Sequence, residues 1–228
     1  RGSPSIITEN TILSFEKAIE QGVEGLEFDV RLTQDKKIII FHDESMLRLS
    51  GININIKDLT YKEIKTHTLK KERNQEKEMM VPLLEDFIPL LSNTKVINIE
   101  IKSDGIFRNH GIVGPLIQFL DKHTIDEKCI VSSFNPLILL RLRLKRPKAI
   151  IGYLYNRKRI FPQWSNLVWI VRIRPESLHI HYSLLDSWIV GWARNKGMKI
   201  NSYTINDKDV YNKAKVDGVF TDNIEYLK

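Results

Sequence analysis

The chain has 228 residues, 42% of them hydrophobic and 28% charged, which is the composition of a globular protein long enough to bury a large core. Its net charge of +7 and pI near 9.3 favour anionic partners: phosphorylated metabolites, nucleic acid or an acidic membrane surface. The one cysteine, Cys129, excludes an internal disulfide framework and fits a reducing compartment, so a cytoplasmic location is the expectation. No apolar run approaches the roughly 18 to 20 residues that span a bilayer. The chain begins at Arg1 without a methionine, so it reads as a processed product or a fragment, with an upstream signal peptide left open.

In chain order, Arg1-Gly2-Ser3-Pro4 reads as a loop that follows a missing element. Asn10 or Thr11 can cap a helix carrying Ile12, Phe15 and Ile19 on one face, and Gly22 stops it. Leu26, Phe28 and Val30 then alternate with Glu27, Asp29 and Arg31, the period of a strand with two unlike faces. A turn at Gln34-Asp35-Lys36 returns the chain through Ile38 to Phe41, forming a hairpin that carries His42 back toward the two carboxylates. Residues 44–80 lose this rhythm; they read as a small insertion with one short helix over Leu59–Lys65 and a mixed-charge loop over Lys70–Glu78, with too few apolar residues for a separate core. Pro82 should open a helix through Leu91.

The second half alternates strands and helices. Strands are predicted over Val96–Ile101, Cys129–Phe134, Ala149–Leu154, Leu178–Ile180, Met198–Ile205 and Gly218–Thr221. Helices are predicted over Ile112–Leu120, Pro136–Leu144, Ser183–Lys196 and Asp207–Lys215, and Leu167–Val171 is the apolar part of a Trp-rich segment. This gives an α/β chain of seven parallel strands, with an eighth expected before Arg1. It is read as one TIM-type (β/α)8 barrel domain over 1–228 whose first strand is missing from the chain. Glu27, Asp29, Glu100, Lys102, Phe134, Tyr203 and Asp222 all fall at the C-terminal ends of strands, where such barrels place their chemistry.

Two like charges about 7 Å apart on one covered strand face repel unless a cation joins them. Three carboxylates without a cysteine ligand form a hard oxygen site suited to Mg²⁺ or Ca²⁺. Lys102 adds positive charge on the same face as Glu100, and His42 titrates near neutrality. Such a set can neutralise an anion's charge, polarise an attacking hydroxyl and transfer a proton.

Arg1-Gly, Glu9-Asn10-Thr11, Glu27-Phe-Asp29-Val, His42-Asp43, Pro82-Leu-Leu-Glu85, Asn98-Ile-Glu100-Ile-Lys102, Ser132-Ser133-Phe134, Tyr203-Thr-Ile-Asn206 and Gly218-Val-Phe-Thr-Asp222 occur in the order found in glycerophosphodiester phosphodiesterases, and the chain resembles that family almost throughout. The resemblance implies a phosphoric diester hydrolase that uses a divalent metal to release glycerol 3-phosphate and an alcohol. It implies metal ligation by Glu27, Asp29 and Glu100, proton transfer by His42 and phosphate binding by Arg1 and Lys102. Phe134 and Tyr203 would line the substrate pocket. The sequence departs from the family pattern twice. The histidine of the His-Arg-Gly motif would precede Arg1, which predicts impaired catalysis for this fragment, and Tyr203 stands where the family usually has Trp.

Each signal also has a plainer reading. Glu27 and Asp29 could form a salt-bridge network with Arg31 or Lys102, Glu100 and Lys102 a mutual ion pair, and His42 a hairpin cap. His179 and His181 share a strand face without a third ligand and read as core or rim histidines. Arg141–Lys148 and Arg157-Lys158-Arg159 lack a nucleic-acid motif, so a solvated face is expected and no nucleic-acid partner. Residues 157–171 read as a barrel helix, with peripheral contact to an anionic bilayer as the second reading. Against the enzyme stand a catalytically impaired barrel that binds a glycerophosphodiester or serves structurally, and a lysophospholipase D-type activity on lipid substrates.

Overall fold

The computed structural model describes residues 1–70, 79–105, 107, 110–155 and 163–227. The chain forms α1 (Ile12–Glu20), β1 (Gly25–Leu32), β2 (Ile38–Ile40), α2 (Leu47–Ser50), α3 (Tyr61–Ile64), β3 (Val96–Ile101), α4 (Val113–His123), β4 (Cys129–Ser133) and α5 (Pro136–Lys145). It continues with β5 (Ile150–Tyr155), α6 (Gln163–Ile173), β6 (Ser177–His181), α7 (Trp188–Asn195), β7 (Lys199–Tyr203), α8 (Lys208–Lys213) and β8 (Gly218–Val219). The sheet runs in the order β2-β1-β3-β4-β5-β6-β7-β8. Every neighbouring pair from β1 and β3 through β7 and β8 is parallel, while β2 is antiparallel and pairs with the far end of β1, Val30 to Leu32. Residue 1 lies along the rest of that β1 edge, its main-chain nitrogen donating to the Glu27 carbonyl at 2.5 Å. This is the architecture of a TIM-type barrel without its first strand.

The alternation in β1 does what its period predicts. Leu26, Phe28 and Val30 are buried in the main apolar cluster, where Phe28 lies 4.5 Å from Phe87 and 5.7 Å from Phe15 between ring centroids. The charged alternates are left to the inner face. Thr11 caps α1 by accepting from the Ser14 amide, and Gly22, at φ +83°, ends that segment in a conformation that suits glycine. Asn135 caps α5 through the amides of Leu137 and Ile138, with Pro136 at the first position.

Four local expectations change. The Pro82 segment is a run of 3-10 turns over Leu84–Asn93, with Pro89 inside it, and the Pro82 carbonyl instead accepts from the Ile40 amide at 2.9 Å. The helix expected from Ser183 starts at Trp188, after a 3-10 turn over Tyr182–Leu184. The insertion holds α2, α3 and a 3-10 turn at Ile56–Asp58, where one helix was expected. It also shares a second apolar cluster, with Met46, Leu49, Ile56, Leu59, Ile64 and Leu69 packed on Ile39 and Phe41 of the hairpin. Its apolar residues were too sparse for a core of their own, but Ile39, which lies opposite Arg31 in the hairpin, and Phe41 supply the remainder, while Ile38 and Ile40 go to the main cluster. The loop residues 71–78 and the basic residues 157–159 lie outside the described residues. No helix among the described residues is long and apolar enough to cross a membrane.

Inside the barrel a polar layer lies below the mouth. Asn98 donates to Ser132 Oγ at 3.0 Å, and His179 Nε2 meets Ser177 Oγ at 2.9 Å and Asn201 Nδ2 at 3.1 Å. Position 152 must be glycine for His179 to fit, since a Cβ there would fall 2.4 Å from the imidazole. His179 is therefore a core residue, and burial holds its pKa down at about 3. His181 is at the rim, bonded to Ser183 Oγ at 2.8 Å and lying over Tyr182.

Candidate active site

Parallel register assembles the acidic cluster. Asp29 on β1 is paired with Glu100 on β3, and Glu27 lies one inward position earlier on β1. One carboxylate oxygen from each of Glu27, Asp29 and Glu100 can be chosen so that all three lie within 4.8 Å of one another. Asp29 is fully buried, Glu100 nearly so, and Glu27 partly open to the mouth. The plainer reading also has a physical basis. Lys102 Nζ lies 2.5 Å from Glu100 Oε1 and 2.8 Å from Asp29 Oδ1, and Arg1 Nε lies 3.1 Å from Asp29 Oδ2. Protein cations thus join part of the cluster, and the Arg1 main-chain nitrogen reaches Glu27 Oε2 at 2.9 Å.

Those cations are shared unequally: Asp29 is met by both Lys102 and Arg1, Glu100 by Lys102. Burial pushes the Glu100 carboxyl up to about 7, with Lys102 pulling against it and Asp29 and Glu27 adding to it. Burial also works against ionisation of Asp29, but Lys102 and Arg1 outweigh it and hold that carboxyl well below the usual range. An acidic set that is all oxygen and largely buried fits a hard divalent cation.

His42 stands just beyond β2, its backbone fixed by Arg31 Nε donating to its carbonyl at 2.9 Å. Arg31 itself is anchored by Asp104 at 2.5 Å. The Nδ1 of His42 lies 2.7 Å from Asp43 Oδ1. Burial lowers the His42 pKa most; Asp29 pulls it up, and Lys102 and Arg1 push it down. Burial thus favours the neutral form of the ring. A carboxylate can only accept, so Nδ1 carries the hydrogen and Nε2 keeps its lone pair.

Phe134 and Tyr203, just past β4 and at the end of β7, meet edge to face with centroids 6.0 Å apart, and Tyr203 Oη donates to the Tyr155 carbonyl at 3.0 Å. Asp222 serves the chain: its amide donates to Asn206 Oδ1 at 2.8 Å, and Asn206 Nδ2 returns a bond to its carboxylate at 3.2 Å. Two residues of the site were not read as such from the sequence. Asn10 is not the helix cap; it sits at φ +58° and donates to Asp29 Oδ2 at 2.9 Å. Arg48 reaches Asp43 from the insertion. Asn10 was visible beside Thr11, but a cap was a sufficient reason for an asparagine there.

A model described as the glycerophosphoryl diester phosphodiesterase family matches residues 1–226. The chain belongs to this family. Its members include a glycerophosphodiester phosphodiesterase from Caldanaerobacter subterraneus that is 32% identical over all of this chain and 93% of its own length. The crystal structure of a glycerophosphodiester phosphodiesterase from Thermotoga maritima superposes with a TM-score of 0.80 at 30% identity, covering 100% of this chain and 94% of that one. A phosphodiesterase from Oleispira antarctica, solved in complex with its product sn-glycerol-3-phosphate, gives 0.85 at 26% identity over 100% and 93% of the two chains. The family is one of phosphoric diester hydrolases, as the ordered motifs imply.

Proposed function

We propose that the protein hydrolyses glycerophosphodiesters to glycerol 3-phosphate and an alcohol, with a divalent cation, Mg²⁺ or Ca²⁺, held by Glu27, Asp29 and Glu100. The convergence of these carboxylates with an imidazole on the same hairpin carries the reading, and the product-bound relative supports the glycerol 3-phosphate half of the substrate. When bound, the cation supplies Lewis-acid polarisation of a phosphoryl oxygen and neutralises charge. Arg1 and Lys102, already at the cluster, are placed to bind the phosphate anion. With Nδ1–H engaged by Asp43, His42 Nε2 takes or gives the proton. Phe134 and Tyr203 form an apolar wall for the glycerol carbons.

A coupled glycerol 3-phosphate assay tests this, run on protein beginning at Arg1 and on protein extended by adding a histidine directly before Arg1-Gly2. Release from glycerophosphodiesters that stops with chelator, returns with Mg²⁺ or Ca²⁺ and falls at least a hundredfold in His42→Asn is expected from the extended protein. Absence of metal-dependent release there, with substrate still bound, would replace the enzyme by a binding barrel. Turnover only of substrates carrying an acyl chain would move the activity to a lysophospholipase D type.

A further inference from the structure

We propose that Arg48, clamped by Glu9, is a positioning residue that locks the Asp43 carboxylate against His42 and so fixes which imidazole nitrogen faces the reaction. This rests on the role given to His42 above and adds to it the device that orients the ring. The Arg48 guanidinium is used on two sides. Its Nε donates to Asp43 Oδ2 at 2.6 Å, while Nη2 and Nη1 donate to Glu9 Oε1 and Oε2 at 2.6 and 3.2 Å. The other Asp43 oxygen faces His42 Nδ1 at 2.7 Å. One carboxylate is thus held at both oxygens, and rotation about its terminal bond would break a charge-assisted contact on either side.

The fork explains why an arginine serves here. A lysine at position 48 presents one point charge and cannot grip Glu9 bidentately while reaching Asp43. Arg48 is itself held in place by its neighbours: Met46 and Leu49 on either side of it are buried in the second apolar cluster, so α2 projects this side chain toward the hairpin. Glu9 also lies 3.6 Å from Arg1 Nη1. A continuous line of charges therefore runs from the phosphate-binding Arg1 through Glu9, Arg48 and Asp43 to His42, joining the loop before α1, the insertion and the hairpin. Burial raises the Asp43 carboxyl, but Arg48 and His42 bring it below the usual range, so it stays an acceptor at neutral pH. The insertion is then part of how the site is built.

Arg48 is half exposed, so its ion pairs add little to stability and its removal leaves the fold intact. Arg48→Gln is expected to lower kcat about 10- to 100-fold with KM within twofold, since it touches no substrate. In Asp43→Asn the same change adds less than twofold, because both act through one contact. The ¹⁵N spectrum of the His42 ring is expected to change from one Nδ1–H tautomer to a mixture. Thermal midpoint and circular dichroism check folding, and Glu9→Gln, which loosens the clamp from its far end, serves as the second variant. If Arg48→Gln and Glu9→Gln keep kcat within twofold and the single tautomer while His42→Asn is inactive, the clamp is refuted and the role of His42 stands. If His42→Asn keeps its kcat, the role of His42 fails first and the clamp with it.

Discussion

Lys102 shows how one side chain can serve two readings. It bridges Asp29 and Glu100 with its amine, is largely buried, and reads equally as a structural ion-pair partner or as a phosphate ligand beside a cation. The two roles separate by experiment, since breaking a buried ion pair on one side leaves an uncompensated charge costing about 3–5 kcal/mol. Lys102→Met is expected to destabilise the protein by about that much in chelator and by clearly less in saturating Mg²⁺ or Ca²⁺, read as midpoints of urea unfolding; equal losses in both would make Lys102 purely structural. His179 supplies a pH dependence that is independent of the site. Its folded pKa, about 3, is below its ordinary 6.5, so above pH 6.5 both folded and unfolded forms are neutral and nothing is lost. Below 6.5 the unfolded chain takes a proton that the folded one refuses, and stability falls as pH drops toward 3. The slope is about 1.4 kcal/mol per pH unit, or about 2 kcal/mol between pH 6.5 and 5. His179→Gln should flatten that part of the denaturation curve whatever constant offset it introduces.

At the scale of elements, β1 carries most of what could be read in advance. Its alternation assigned Phe28 outward and Asp29 inward without reference to any neighbour, and the aromatic trio with Phe15 and Phe87 shows the outward half in place. Phe28→Ala is expected to cost about 3–5 kcal/mol, because the hole is walled by two rings that cannot collapse together, measured as a shift of the denaturation midpoint. The strand-and-helix rhythm after Val96 was legible for the same reason, each helix bounded by a local signal such as Asn135-Pro136 or Gly197. The segment after Pro82 was not, because the choice between α and 3-10 turns depends on packing against Ile40 and the barrel, and Pro89 removes a donor in mid-run. The insertion was half legible. Its apolar residues were visible, but their partners, Ile39 and Phe41, belong to an unbroken apolar run, Ile38 to Phe41, whose alternate residues Ile38 and Ile40 pack in the main cluster instead. Arg48 was missed for a related reason. Nothing local separates a functional arginine on a short helix from a solvated one, since its meaning comes from Glu9, 39 residues away in the chain.

For the whole molecule, the barrel brings together acids that the unfolded chain keeps apart, and this fixes how the fold must respond to a ligand. Glu27 and Asp29 lie two residues apart, but Glu100 joins them only when β1 and β3 are paired in register. Folding therefore brings three carboxylates into a buried space where Arg1 and Lys102 meet Asp29, Lys102 alone meets Glu100 at ion-pair distance among the described residues, and burial pushes the Glu100 carboxyl up. A dication that binds this arrangement finds no equivalent in the unfolded chain, so it must raise stability by RT ln(1 + [L]/Kd), about 2.7 kcal/mol at a hundred times Kd. Thermal midpoints should climb with the logarithm of Mg²⁺ or Ca²⁺ concentration. They should be unmoved by equal concentrations of K⁺, and Asp29→Asn should abolish the dependence while keeping the barrel's circular dichroism. Since the readout is stability, the result stands apart from catalysis. A protein that gained stability from divalent ions but released no glycerol 3-phosphate would retain the site and lose only the proposed reaction, whereas one indifferent to both ions would show that Lys102 and Arg1 suffice to hold the acids together.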